Sequence, residues 1–313
     1  MSTGSGPERD GTDPTLGAIM KERRHLINLG YRLLGSVVDA EDVVQETYAR
    51  WYALSREQQD AIESPAAWLT RVAGRICLDL LGSARARRER YVGEWVPEPL
   101  PDRTDWITAR PGGAATDPAD RVTLDESISM AFLVVLESMT PAQRVAFVLH
   151  DVFRYPFAEV AEIVGRSPEA CRQLATAARR RVRASRARET TPPDRRAGIV
   201  RDFKRAWEAG DIAALVNLLD PDATTVADGG GLVSATPHPV EGAEPVARLF
   251  ADLATRMPAD VTILERTVNG QPGLTARLDG TTLVVLAFDV ADDRITDIWA
   301  VRNPEKLRPW TAV

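Results

Sequence analysis

The sequence predicts a multidomain chain of two all-α domains followed by an α+β domain. Three observations carry this. Apolar residues recur at helical spacing in two blocks, residues 16–92 and 121–188. Stretches rich in Pro, Gly and Asp separate the blocks at 93–120 and 189–196. From residue 197 to 313 the texture changes to short, alternating, β-rich runs. A length of 313 residues, 44% hydrophobic and 27% charged, fits two or three globular domains.

Residues 1–15 are polar and flexible, without the apolar region of a signal peptide. Leu26, Leu29, Leu33 and Leu34 then mark a helix that Gly35-Ser36 ends. Asp39 reads as the N-cap of the next helix, on which Val43, Val44, Thr47, Tyr48 and Trp51 form one stripe. Ser64-Pro65 starts a third helix with Trp68, Leu69, Val72, Ile76 and Leu80 facing inward. The stretch Val96 to Ala119, with VPEPLPD and ARPGGAATDP, reads as a flexible connector.

In the second block Thr140-Pro141-Ala142-Gln143 matches a capping box. Beyond it, PFAEVAEIVGRSPEACRQLATAARRRVRASRAR reads as helix, tight turn at Gly165-Arg166, and helix. Ser167 caps the second helix, Pro168 suits its first position and Glu169 complements its dipole. Cys171, Leu174, Ala175, Ala178 and Val182 share one side of it, so Arg172, Gln173, Thr176 and Ala177 face outward. A helix launched this way with a basic outer side suits a DNA major groove. After ETTPPDRR, the helix IVRDFKRAWEAG precedes the runs ATTVAD, VTILERTV, LTARLDG, TTLVVLAFDV and RITDIWAV, with EPVARLFADLATRM as a further helix. Helices on a curved antiparallel sheet are expected.

Net charge is -6 and the pI about 5.3, yet arginine concentrates at Arg85–Arg90 and Arg179–Arg188. Local basic patches on an acidic chain point to nucleic acid at chosen surfaces and to protein partners elsewhere. Cys77 and Cys171 lack metal-ligand spacing, and His25, His150 and His238 are scattered, so no metal site or cofactor is expected. No apolar run is long enough to cross a bilayer, and a cytoplasmic location follows by default.

The two helical blocks together resemble the sigma-70 family, and within it the extracytoplasmic-function sigma factors that keep only regions 2 and 4. DAEDVVQETYARWY looks like region 2.2, PAAWLTRVAGRICLDLL with SARARRER is similar to regions 2.3 and 2.4, and TPAQRVAFVLHDVFRYPFAEVAEIVG with the following helix looks like region 4. YVGEWVPEPL, DGGG at Asp228 to Gly231 and NPEKL at Asn303 to Leu307 resemble the subgroup with a SnoaL-like extension. That resemblance implies the cone-shaped fold of nuclear transport factor 2 and an extension that modulates the sigma activity of its own chain. Lysine commonly follows the glycines in that subgroup; Leu232 stands there in this chain.

The resemblance implies three faces. Asp42, Gln45 and Glu46 would meet the coiled coil of the RNA polymerase β′ subunit. Arg71, Arg75, Arg85, Arg87 and Arg88 can supply the cations that hold the melted −10 strand, and the resemblance puts Arg71 and Arg75 close to it, with Trp68 as core residue or stacking platform. Arg172, Gln173 and Thr176 would read −35 base edges while Arg179, Arg180, Arg181 and Arg183 hold phosphates. Asp228, Gly229, Gly230, Gly231, Asn303, Pro304 and Lys306 carry the extension's motifs. Asp228 and His238 are the polar candidates for a pocket in the extension, with Trp207 and Trp299 as lining, and Gly229 to Gly231 read as a tight turn. Asn303-Pro304 ends the last strand so that Glu305-Lys306-Leu307 reaches another surface. Two further readings fit the residues alone: a polymerase-independent DNA-binding regulator with a ligand-sensing pocket, and a cyclase- or isomerase-like enzyme fused to a DNA-binding module. The acidic helix argues against the first.

Overall fold

The computed structural model describes residues 14–88, 91–101, 128–185 and 191–310, with side chains over 22–83 in the first of these. The first block holds α1 (Pro14–Leu34), α2 (Val37–Tyr52), the short α3 (Arg56–Asp60) and α4 (Pro65–Arg88). Ser36, not Asp39, caps α2: its Oγ accepts from the Asp39 N–H at 3.2 Å. The helix therefore starts one turn's length of cap earlier than the acidic residue suggested, and Asp39 becomes a first-turn acid favourable to the dipole.

The second block comprises α5 (Met130–Glu137), α6 (Pro141–Phe147), a π-helical turn (Val148–Val152), α7 (Phe157–Val164) and α8 (Pro168–Ser185). The capping box at Thr140 and Gln143 forms as the sequence predicts. The two blocks do not sit apart. One apolar core runs from Leu26 and Trp51 through Leu69 to Phe147, Ile163 and Val182. Arg144, 3% exposed, donates to the Leu33 carbonyl of α1 at 2.9 Å and to Glu137 at 2.7 Å. Gly74 of α4 admits Ile163 of α7: a Cβ there would lie 2.9 Å from Ile163 Cγ2. Trp68, half-buried, packs edge-on against buried Trp51 at 5.2 Å at the margin of this core.

The third part holds α9 (Pro193–Ala209), α10 (Ile212–Leu218), α11 (Ala243–Arg256) and six strands: β1 (Leu219–Asp228), β2 (Val240–Glu241), β3 (Thr262–Val268), β4 (Gln271–Leu278), β5 (Thr281–Ala291) and β6 (Arg294–Val301). Sheet order is β2-β1-β6-β5-β4-β3. It is not wholly antiparallel: β1 runs parallel to β6, because the long excursion through β2, α11 and the β3–β5 meander returns β6 to the inner flank of β1. Strand alternation gives the sheet two apolar faces. Leu274, Leu286, Phe288 and Ile298 pack on Phe203, Trp207 and Phe250 of the helices. Val285, Ala287, Trp299 and Val301, on the opposite face, pack on Val96, Met130, Leu307 and Trp310. The third domain thus uses its second face to bind the sigma-like half of the chain.

Candidate nucleic-acid interface

On α8, Cys171, Ala175, Ala178 and Val182 are buried and Arg172, Gln173 and Thr176 exposed, the division that the helical period predicts. Arg172 pairs with Glu169 at 2.6 Å. Its guanidinium lies 5.6 Å from the Phe157 ring centre, and Phe157 stacks on His150 at 3.7 Å. The arginines behind it divide. Arg180 is exposed. Arg179 is drawn inward: its Nε donates to buried Asp151 at 2.6 Å. Burial pushes the Asp151 carboxyl up and Arg179 opposes that shift. Arg181 likewise donates inward, to the Ser138 carbonyl at 3.1 Å and Gln143 at 2.8 Å.

On α4, Arg71 and Arg75 are exposed but lie against the second block. Arg71 pairs with Glu162 of α7 at 3.1 Å, and Arg75 Nη2 lies 3.9 Å from where a Gly165 Cβ would be. Arg85, Arg87 and Arg88 lie in the last turns of α4, and their side chains fall outside the described residues. Asp42, Gln45 and Glu46 form an exposed strip on α2, with Glu46 paired to Arg50 at 2.9 Å and Tyr52 and Val38 about half exposed beside it. His25 and Thr70 both meet the Tyr155 hydroxyl at 3.0 Å across the two blocks. Burial lowers the His25 pKa to about 4.

The extension's motifs meet at one buried carboxylate. Asp228, 0% exposed, accepts through Oδ1 from the Tyr91 hydroxyl at 2.7 Å and the Gly230 N–H at 3.0 Å. Its Oδ2 accepts from the Val96 N–H at 3.0 Å and from Lys306 Nζ at 2.7 Å. Lys306 also donates to the Val96 carbonyl at 2.5 Å and lies over the Trp95 ring at 4.2 Å. Asn303 donates to the Tyr91 hydroxyl at 2.9 Å and, through Oδ1, accepts from the Glu305 N–H, shaping the turn that Pro304 begins. Gly230 has φ +63, and a Cβ there would overlap the Asn303 amide. Leu232, where the subgroup's lysine would stand, is 60% exposed.

Asp228 is therefore an anchor for the 91–96 segment, not a pocket acid. His238 lies exposed in the loop beyond it. Trp207 is buried against Phe250, so aromatic packing fills the helix-bearing side of the sheet. Trp299 lines a cavity of about 860 Å³ on the opposite side, between the sheet and α5 and α8. The connector reading of 96–119 fails for its first part. Val96 and Leu100 are 1% exposed, and Glu98 is 3% exposed with its carboxylate accepting from the Val37 N–H at 2.8 Å. Residues 102–119 fall outside the described residues.

A second junction has no counterpart in the sequence reading. Asn269, at φ +51 in the β3–β4 turn and 0% exposed, accepts from the Leu100 N–H at 2.8 Å. It donates to the Tyr31 hydroxyl at 2.7 Å and to the Ile128 carbonyl at 2.8 Å. One amide thus joins the first block, the interblock segment and the entry to the second block. Asn269-Gly270 is legible as a hairpin turn, which gave no sign of these partners.

A helix-turn-helix with an outward basic face, packed on α4 of a block whose α2 carries an exposed acidic strip, fits a DNA-binding transcription-initiation protein. The comparisons agree. Residues 18–87 match Sigma-70 region 2 and residues 129–182 match Sigma-70, region 4. The ECF RNA polymerase sigma factor SigJ of Mycobacterium tuberculosis is 40% identical over 295 residues, covering 91% of this chain and 90% of that protein. The probable ECF RNA polymerase sigma factor SigI of the same species is 35% identical over 301 residues, covering 96% of this chain and 97% of that protein. The crystal structure of M. tuberculosis SigJ superposes with a TM-score of 0.71 at 34% identity, covering 94% of this chain and 98% of that chain. The chain belongs to the extracytoplasmic-function sigma factors of the sigma-70 family, with regions 2 and 4 followed by a SnoaL-like α+β extension. No helix among the described residues is long and apolar enough to cross a membrane.

Proposed function

We propose that this sigma factor docks on the β′ coiled coil of core RNA polymerase through Asp42, Gln45 and Glu46. Arg71 and Arg75, with Arg85, Arg87 and Arg88, then hold the melted −10 strand. Arg172, Gln173, Thr176 and Arg180 read or grip −35 DNA, while Arg179 braces α8 from within. The extension acts as a built-in restraint without turnover of its own.

One observation carries the restraint. Arg75 lies about 4 Å from the Gly165 turn, and Gly165 is seven residues ahead of Arg172, a span of at most about 25 Å even fully extended. The −35 and −10 elements are some 25 base pairs apart, roughly 85 Å at 3.4 Å per step. Regions 2 and 4 cannot engage both elements until they separate. Asp228 with Lys306, and Asn269, hold the segment between them and so oppose that separation.

Run-off transcription with purified core polymerase tests the reading. Lys306→Met removes the counter-charge of Asp228, which keeps its bonds from Tyr91, Gly230 and Val96, so the cost is at most about 3–5 kcal/mol for a buried pair broken on one side. It should raise transcript yield from the full-length chain. Unchanged or lower yield with an intact fold argues against restraint by the extension.

A further inference from the structure

The entrance to the helix-turn-helix is built in an unusual way. The π-helical turn Val148–Val152 and a left-handed Arg154 at φ +66 reroute the chain just ahead of α7. Both are locally unfavourable for ordinary residues, and such widened turns concentrate at functional places. Their product is a face-to-face stack of His150 on Phe157, ring centres 3.7 Å apart and 23° between planes. The stack is locked by a hydrogen bond from His150 Nδ1 to the Tyr155 carbonyl at 2.9 Å, which fixes the tautomer with hydrogen on Nδ1.

The stack is only partly a core element. His150 and Phe157 are both half-buried, and Phe157 packs one side on the apolar core. The Arg172 guanidinium lies over the Phe157 ring at 5.6 Å while Glu169 holds it from the helix's own first turn at 2.6 Å. Arg172 is exposed, long and rotamer-rich, so an unsupported side chain would lose much freedom on entering a groove. An aromatic face attracts a guanidinium and narrows its directions before DNA arrives.

We infer that Phe157, backed by His150, is a positioning residue that pre-orders Arg172 for −35 recognition and thereby sets the sharpness of promoter choice. This rests on the reading above that Arg172 contacts a base edge. The chemistry is directional: a planar cation over a ring is oriented, whereas a helix-borne cation without one samples neighbouring phosphates.

The test uses holoenzyme assembled from core polymerase and the full-length chain, transcribing a promoter library randomised across the −35 element. Arg172→Ala should flatten preference at one or two base pairs. Phe157→Leu, which keeps apolar bulk and removes the ring, should weaken preference at those same pairs about three- to tenfold and leave other positions unchanged. Phe157→Tyr should restore it. His150→Leu, which spares the core contact of Phe157, should give the same pattern at smaller size and serves if Phe157→Leu folds poorly. If Arg172→Ala flattens the preference while Phe157→Leu and His150→Leu leave it sharp, the positioning role is wrong and the −35 reading survives. If Arg172→Ala changes no position, the −35 reading of Arg172 fails and takes the inference with it. Sharper preference or tighter binding in Phe157→Leu also overturns it, since the ring would then be holding Arg172 back.

Discussion

Asn269→Gly isolates the amide junction with little collateral strain. Glycine accepts the φ of +51 at this position, so the backbone loses nothing and sheds a left-handed penalty of about 1 kcal/mol. The side chain's removal leaves the Leu100 N–H and the Ile128 carbonyl, both on residues 1% exposed, without their partner. Tyr31 keeps its own bond, donating to the Glu98 carbonyl at 2.7 Å. Each stranded buried group costs about 1–3 kcal/mol. Two of them at about 2 each, less the relieved strain, give roughly 3 kcal/mol against the closed arrangement, or about a hundredfold in its equilibrium constant. Hydrogen exchange reads this directly: the amides of Val96, Glu98 and Leu100 should lose about two orders of magnitude of protection while those of β5 and β6 hold theirs. Run-off yield should rise in parallel. Protection of 96–100 within twofold of the parent chain would show that the amide is not what holds the halves together.

Four other outcomes are expected. Burial pushes the Glu98 carboxyl up to about 7, against the N–H of Val37 and Lys306, which pull it down. A carboxyl raised in the folded state supports folding fully below its unfolded pKa near 4.5 and loses that support as pH rises through about 7. Closure should therefore loosen as pH rises from about 4.5 to 7, and Glu98→Gln should remove that slope in denaturant titrations. His25, lowered by burial to about 4, acts oppositely: its support is present above pH 6.5 and lost as pH falls through about 4. Arg179→Ala strands Asp151 and should cost about 3 kcal/mol of stability with no change in the salt slope of DNA binding, whereas Arg180→Ala should reduce that slope by about one. Gln45→Ala with Glu46→Lys should abolish co-purification with core polymerase while circular dichroism stays unchanged; retained co-purification removes the docking face.

The legible part of this chain is the part whose cause is local. Helices α2, α4, α7 and α8 follow from their stripes, caps and turn residues, and β3 to β6 from alternation between Gly, Asn and Asp turns. The outward set Arg172, Gln173 and Thr176 follows from period alone. What the letters hide is pairing at a distance. Arg179 reads as one arginine in a basic run until Asp151, 28 residues upstream, claims it. Asn269 and Tyr31 are 238 residues apart, and an Asn-Gly turn looks alike whether its amide faces water or a buried hydroxyl. VPEP reads as a linker because prolines exclude helix and interior strand, yet prolines and a raised carboxyl also suit a segment laid extended between two domains. The parallel β1–β6 pair is equally non-local, decided by where the chain returns after about 70 residues.

The closed arrangement also constrains the order of events. A partner shifts a conformational equilibrium only by the difference in its affinity for the two states. Asp42, Gln45 and Glu46 are exposed with the halves closed, so contact through that strip alone is equally available to both states and does not open the chain. Arg71 is different. Closed, it pairs with Glu162 and Arg75 faces the Gly165 turn; on the proposed −10 role, separation would release both toward DNA. On the proposed −10 role, the driving difference would come from releasing Arg71 from Glu162 and from the spacing of regions 2 and 4, which closure restricts. Opening also uncovers Val96 and Met130, and fully exposing side chains of this size costs about 1.5–3 kcal/mol each. Such exposure would keep spontaneous opening rare. On the proposed roles, docking on α2 would supply attachment and promoter engagement the free energy that opens the chain, which would make selectivity for the correct DNA part of the release itself.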